Sequence, residues 1–198
     1  MFEDIITKDV FKRYNIRHKN TATELYRYLV ENFSERFTFS RLSKVFNLHE
    51  KTIEDYISYI SESFLGFSLS IYSTKNVVRS AKKFYIIDNS FHYCLFHKRN
   101  IGKLMENLVF IHLIKKYKLN EELFYYITPQ GYEIDFLIKE KNRKFTLIQV
   151  TRINSLEELN SRDIRALANA SERIDKKLTI ITWHLLFHFF SSCCSKSS

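Results

Sequence analysis

The segment 121–152 predicts three consecutive β-strands, and it constrains the fold more than any other part of the chain. Aromatic and β-branched residues are dense in the runs ELFYYIT, YEIDFLI and FTLIQVT. Such residues favour strands, and a turn at residues 129–131 and the charged run KEKNRK separate the three runs. We therefore expect the three strands to be neighbours in one sheet.

One residue of the middle strand does not fit a packing role, and it faces two polar residues on the next strand. Asp135 lies between two apolar residues in the middle strand. On the next strand Gln149 and Thr151 share one face, because side chains two residues apart point the same way. The pattern predicts a carboxylate that faces a polar pair, with Glu106 on the preceding helix. The helix dipole alone would explain an acid near the start of that helix.

The order of elements around the strands predicts an α/β domain over residues 89–184. A strong helix, KLMENLVFIHLIKKYK, precedes the strands, and a helix around LEELNSRDIRALANASERI and an apolar strand, KKLTIITW, follow them. The order α-β-β-β-α-β is typical of an α/β domain with a mixed sheet. Residues 185–198 lack both helical periodicity and the polar character of an ordinary terminus. We interpret this tail as a non-native extension or a truncated end.

The N-terminal half predicts an entry helix or linker at residues 1–20 and a winged helix-turn-helix at residues 21–88. Three helices are expected, TELYRYLVENF, RLSKVFN and EKTIEDYISYISESF, the first capped by Thr21 or Thr23 and the second by Ser40. The second and third, joined by a tight turn, form the helix-turn-helix. The strands GFSLSIYS and KFYIID form a hairpin, the wing. The chain as a whole is therefore predicted to be α+β.

The net charge of +9 permits a polyanionic partner. Basic residues are concentrated between residues 75 and 103, where seven lysines and arginines stand against Asp88 alone. We expect the four around the predicted wing to contact a DNA backbone: Lys75, Arg79, Lys82 and Lys83. A solvated lysine-rich surface is the alternative explanation of such a run.

The second helix of the helix-turn-helix argues against sequence reading in the major groove. It contains Glu50, Glu54, Asp55 and Glu62 against Lys51 alone, and phosphates repel acidic side chains. Lys51 is its single candidate for a DNA contact. Docking to a protein is an equally weighted alternative for this module.

Several classes of function find no support in the sequence. No apolar run approaches the roughly 20 residues that span a bilayer, and the first residues lack a signal-peptide pattern, so we expect a cytoplasmic protein without a membrane partner. The three cysteines have neither disulfide nor zinc spacing. With only three glycines, no phosphate-binding P-loop can be drawn, and no nucleotide partner is expected.

Six motifs carry a resemblance to a known family: DIITKDVFKRYNI, FYIIDNSF, GKLMENLVFIHL, GYEIDFLI, LIQVTRI and LTIITW. In this order they resemble a domain of unknown function that lies C-terminal to the ATPase module of many archaeal and bacterial AAA-type ATPases. The second half resembles the PD-(D/E)XK nuclease-like superfamily. The resemblance implies a winged helix, a nuclease-like domain, and an ATPase module or another protein as partner. We expect a split gene, a truncated remnant or a separate subunit.

The resemblance also assigns roles to the polar residues. It makes Asp135 the principal metal ligand and Glu106 a supporting one. Gln149 stands where a second carboxylate is expected, and Thr151 stands where a catalytic lysine is expected. Two neutral side chains cannot balance Mg²⁺ and a phosphate together. Lys103 is the substitute cation that the sequence offers, with Lys139 a more distant one.

Three functions follow from this. The favoured one is a non-catalytic accessory module that docks the DNA backbone or a protein partner and needs no cofactor. The first alternative is a Mg²⁺-dependent DNA endonuclease in which another lysine replaces the missing one. The second alternative is a transcription regulator that acts through the helix-turn-helix.

Overall fold

The computed structural model describes residues 10–73, 81–140, 144–152, 176–182 and 186–190. It confirms the mixed α/β class that the sequence predicts. The chain divides into two compact units, Met1–Ser70 with Lys75–Ile111, and Ile71–Thr74 with His112–Ser198. The boundary predicted from the sequence lies at residues 88 and 89. No helix among the described residues has the length and hydropathy needed to cross a membrane.

Six helices are described, all of which begin in the first unit: α1 Lys12–Tyr14, α2 Lys19–Glu31, α3 Phe39–Phe46, α4 Glu50–Glu62, α5 Asn89–Phe96 and α6 Ile101–Leu113. Apolar residues at helical spacing bury one face of α2 and one face of α4. Both faces enter a single core, in which Leu25, Leu29, Ile53 and Ile57 are almost fully buried. The 3.6-residue pattern in the sequence therefore identified the packed faces correctly.

The sheet of the first unit is antiparallel and consists of β1 Arg36–Phe37, β2 Gly66–Ser70 and β3 Lys82–Ile86. The strand order is β1-β3-β2, so β3 is central. Its residues Phe84, Tyr85 and Ile86 are buried, as expected of a strand with a partner on each side.

The sheet of the second unit contains the three strands that the sequence placed in a row. Its order is β4-β5-β6-β7-β8, and only β6 and β7 run parallel to each other. The prediction of a mixed sheet is thus confirmed. The helix predicted between β6 and β7 falls outside the described residues. The strands are β4 Leu123–Ile127, β5 Glu133–Lys139, β6 Phe145–Val150, β7 Lys176–Ile181 and β8 Leu186–Phe190.

The short segment Ile71–Thr74 lies between β2 and β3 in sequence but belongs to the second unit. Ile71 forms a bridge with Tyr125 of β4, and the Tyr72 N–H donates to the Tyr125 carbonyl at 2.7 Å. The Tyr72 ring packs against the rings of Phe124 and Phe145, with centroids 5.5 and 5.2 Å away. One aromatic side chain of the second core thus comes from the middle of the first unit's sequence.

Two helix starts differ from the sequence prediction. Helix α2 begins at Lys19, so Thr21 and Thr23 lie inside it, and its N-cap residue His18 makes no capping hydrogen bond. Helix α3 is capped by Thr38, whose hydroxyl accepts from the Arg41 N–H at 3.1 Å. The predicted caps were wrong because each helix extends further toward its N-terminus than its apolar periodicity indicates. Part of the predicted tail, residues 186–190, forms β8, and the non-native origin of that tail stays a prediction.

Gly66 is a position where the fold requires the absence of a side chain. A Cβ there would meet the Phe84 ring and would lie 2.8 Å from the Tyr85 carbonyl oxygen, which is backbone and cannot move aside. We predict that Gly66→Ala lowers the free energy of unfolding by about 1–3 kcal/mol, the usual cost of overpacking.

Gly102→Ala is the matched control, because a Cβ there meets only the Asn100 side chain at 3.6 Å. It should leave stability unchanged or raise it, since alanine is the better helix former. Urea denaturation of both variants checks the prediction, and equal effects at the two glycines would contradict it.

Candidate functional site

Asp135 and Gln149 lie beside each other where the pairing of β5 and β6 ends. The last registered pair is Phe136 with Ile148, and the next residue outward on each strand is one of these two. Asp135 is 6% exposed, and its Oδ2 accepts a hydrogen bond from the Val150 N–H at 2.8 Å. The carboxylate therefore closes the end of this strand pair in place of a backbone carbonyl.

Gln149 is buried with an unsatisfied acceptor. Its side chain is 9% exposed, and among the described residues its Oε1 has no hydrogen-bond partner. A buried polar atom without a partner costs about 1–3 kcal/mol, so such atoms call for an explanation. Thr151 follows β6, and its N–H donates to the Ile181 carbonyl at 3.0 Å, which continues the contact with β7. Asp135 and Gln149 together offer oxygen ligands of the kind that Mg²⁺ prefers.

Glu106 belongs to the first unit and has two partners there. Its Oε1 accepts from the Lys83 ammonium at 2.8 Å and from the Tyr85 hydroxyl at 2.6 Å. Lys83 is only 2% exposed, so the pair is largely removed from water. The predicted supporting metal ligand and one of the predicted phosphate contacts thus neutralise each other.

Asn107, next to Glu106, is a residue whose role the sequence analysis missed. It is fully buried, accepts from the Ile86 N–H at 3.0 Å and donates to the Ile86 carbonyl at 2.8 Å. It also donates to Asn89 Oδ1 at 2.9 Å. These bonds fix α6 against β3 and so set Glu106 beside Lys83. An asparagine inside the apolar run LMENLVF was the signal that could have revealed it.

The other predicted cations have varied surroundings. Lys51 lies 3.2 Å from Glu54 and 3.1 Å from Asp55, and hydrogen bonds first to Asp55 and then to Glu54 raise the pKa of its ammonium. Lys82 donates to Ser70 Oγ at 2.9 Å, and burial lowers its pKa. Lys75 and Arg79 fall outside the described residues.

The two lysines considered as replacements for a catalytic one are also placed. Lys103 pairs with Glu35 within the first unit, and Lys139 is exposed at the far end of β5 from Asp135. In the part of the chain that the structure describes, no group of three or more His, Cys, Asp or Glu side chains could hold a metal ion.

We predict that Glu106→Gln lowers the free energy of unfolding by about 3 kcal/mol, because it removes the negative charge that the buried Lys83 ammonium contacts. Removing both charges in Lys83→Met/Glu106→Gln should recover much of that loss. A double-mutant cycle by urea denaturation measures the coupling. Additive effects of the two substitutions would show that the pair has no structural role.

Comparison with known proteins identifies two family models along the chain. Residues 1–101 match the model described as domain of unknown function DUF8612, and residues 101–191 match domain of unknown function DUF4143. The chain is also similar to uncharacterized protein MJ1544 of Methanocaldococcus jannaschii, with 31% identity over 191 residues. That alignment covers 92% of this chain and 42% of the relative, so the chain spans about two fifths of the relative's length. No solved structure matches the chain.

The first family model covers just over half of the 198 residues. The chain therefore belongs to the DUF8612 family, and its second half is similar to the DUF4143 model.

Proposed function

We propose that this chain is a non-catalytic accessory module, composed of a winged helix and a degenerate PD-(D/E)XK nuclease-like domain, that docks a macromolecular partner. Helices α3 and α4 with the turn at Asn47, which has a left-handed conformation, serve as the helix-turn-helix. Strands β2 and β3 serve as the wing. The α-β-β-β order from α6 to β6 and the parallel pairing of β6 with β7 support the nuclease-like assignment.

The observation that carries the proposal is the engagement of Glu106 with Lys83 and Tyr85. A carboxylate oxygen that already accepts from an ammonium and a hydroxyl is a poor ligand for a divalent cation. Asp135 likewise uses one oxygen to bind the Val150 N–H. Because Gln149 and Thr151 are neutral, little negative charge is left to hold a metal ion, and no positive charge from Thr151 is available for a scissile phosphate.

The surface of α4 favours a protein partner over the major groove. Glu50 and Glu54 are exposed, and the helix's cation, Lys51, is already paired with two neighbouring acids. An acidic helix is repelled by phosphates and complements a basic protein face. The resemblance to a domain that follows the ATPase module of AAA-type ATPases makes an ATPase module or another protein the partner class that we expect. Contact of the wing with a DNA backbone, through Lys82 together with Lys75 and Arg79, is the other form of docking.

We predict no DNA cleavage when the protein is incubated with supercoiled plasmid and Mg²⁺ or Mn²⁺. The physical reason is the missing negative charge beside Asp135. The control is Asp135→Ala, which should behave like the wild type in this assay. Cleavage by the wild type that disappears in Asp135→Ala would overturn the non-catalytic proposal.

One observation favours the endonuclease as a second candidate. Gln149 Oε1, next to Asp135, has no hydrogen-bond partner in the described part of the chain, so it is an oxygen that a metal ion could use. The variant Gln149→Glu/Thr151→Lys restores the acid and the lysine of the nuclease pattern. If the domain is nuclease-like, it should bind Mn²⁺ in calorimetry where the wild type does not. The same variant with Asp135→Asn added is the control and should lose that binding.

For DNA, we predict weak binding that is independent of sequence, with a dissociation constant of about 10⁻⁴ to 10⁻⁶ M at physiological salt. Glu50→Lys should tighten it more than Glu24→Lys, an exposed acid on α2, because only the former lies on the helix-turn-helix. Fluorescence anisotropy at several salt concentrations measures both. A tight site of defined sequence that is lost in Lys51→Ala would instead establish a transcription regulator.

A further inference from the structure

A surface pocket of about 490 Å³ lies in the first unit at the start of α6. Its walls come from the end of α2, from α5, from the loop after α5, and from the first turn of α6. The lining residues are Glu31, His92, Lys98, Arg99, Asn100 and Lys103. Three basic residues of the run 75–103, namely Lys98, Arg99 and Lys103, thus line the same pocket.

His92 gives this pocket an unsatisfied polar atom. Its side chain is 5% exposed, and its ring lies between those of Phe33 and Phe96, with centroids 5.0 and 5.5 Å away. Among the described residues its Nδ1 has no hydrogen-bond partner. His92 thus lines the pocket with a hydrogen-bonding capacity that the described residues leave unused.

The start of α6 adds a favourable field for negative charge. Asn100 caps the helix, since its Oδ1 accepts from the Lys103 N–H at 3.2 Å. The helix runs for 13 residues, and the N–H groups of a first turn attract anions. Gly102 in that turn leaves the backbone open, because a Cβ there would meet nothing closer than 3.6 Å.

The charges at the pocket wall favour an anion as well. Lys98 and Arg99 are exposed, and within the described residues neither takes part in an ion pair. The Arg99 guanidinium lies 5.1 Å from the centre of the Tyr93 ring, which limits its freedom. Lys103 is paired with Glu35, and Glu31 opposes the cations from the α2 side. Within the described residues, the two cations of the pocket that form no ion pair, Lys98 and Arg99, therefore outnumber its one carboxylate, Glu31.

We propose that this pocket binds a phosphomonoester, with Lys98 and Arg99 contacting the phosphate at the start of α6 and His92 donating a hydrogen bond to it. The volume falls in the range of about 300–1,000 Å³ that small-molecule sites occupy, so a group the size of a nucleoside fits beside the phosphate. The phosphate could belong to a small molecule or to the phosphorylated end of a polynucleotide. Neither the nuclease-like site nor the docking surface of α4 is needed for this binding.

The pH dependence follows from the surroundings of His92. Burial first, then the charges of Lys103 and Lys98, lower the pKa of His92, while Glu31 raises it. The free imidazole is therefore neutral at neutral pH, and a bound anion favours its protonated form. Binding should tighten as the pH falls toward and below about 6.5, the ordinary value for histidine. Sulfate is the suitable probe, because its own charge is constant over this range. In His92→Gln the pH dependence should disappear.

The main test is calorimetric titration of the full chain with adenosine monophosphate and with adenosine. We expect saturable binding of the monophosphate and none of the nucleoside. Lys98→Ala/Arg99→Ala should weaken binding by about tenfold to hundredfold, the effect of removing charge-assisted hydrogen bonds. Lys115→Ala/Lys116→Ala, which removes the same charge from exposed positions of the second unit, is the matched control and should bind as the wild type does.

Gly102→Asp separates binding from folding. A carboxylate in the first turn stabilises a helix but repels an incoming anion. The variant should therefore keep or raise its melting temperature and lose binding of the monophosphate.

A 16-base oligonucleotide with a 5′-phosphate, compared with its 5′-hydroxyl form, distinguishes the two sources of the phosphate. Tighter binding of the phosphorylated strand than of the mononucleotide indicates a polynucleotide end. Absence of binding by the wild type, or unchanged binding in Lys98→Ala/Arg99→Ala, would overturn the proposal.

Discussion

The attachment of α6 to β3 is the interaction on which the first unit depends. Asn107 satisfies both backbone groups of Ile86, and one residue earlier Glu106 meets Lys83 and Tyr85. The Asn107 amide pairs with β3 in the way that a neighbouring strand would. Together with the ion pair between Lys83 and Glu106, it fixes the rotation of α6 and its position along its own axis. Such polar contacts are costly if half-satisfied, and here each partner is present. The anion pocket at the first turn of α6 depends on this placement too.

Under the proposed function, the same contacts explain how Glu106 is retained in a nuclease-like domain that does not catalyse DNA cleavage. Because Glu106 neutralises the buried Lys83, loss of the Glu106 carboxylate destabilises the fold whether or not a metal binds. Asp135 is in a similar position, since it completes the hydrogen bonding at the end of β5. Under the proposed function, the acids of the degenerate site are retained for structural reasons, and Gln149 and Thr151 stand at the two positions where the nuclease pattern has charged residues.

Sequence periodicity was sufficient for the packed elements and insufficient for the polar ones. The strands around Asp135 follow from the density of aromatic and β-branched residues, and the buried faces of α2 and α4 follow from helical spacing. The partners of Lys83 do not, because an ion pair between residues 23 positions apart leaves no local pattern. The excess of basic residues between 75 and 103 is visible in the sequence. That Lys98, Arg99 and Lys103 line one pocket with His92 depends on the path of the chain between α5 and α6, which the sequence does not reveal. The predicted N-cap of α3 was wrong for a related reason. Thr38 and Ser40 are both suitable capping residues, and the sequence does not show at which of them the helix begins.

The segment Ile71–Thr74 makes the path of the chain between the units more complex than two domains joined end to end. The chain leaves the first core after β2, contributes Tyr72 to the second, and then returns to form the central strand β3. No single peptide bond therefore separates two complete folding units. A fragment that starts at His112 would lack one aromatic ring of its core, and a fragment that ends at Ile111 would hold that ring without the partners it packs against.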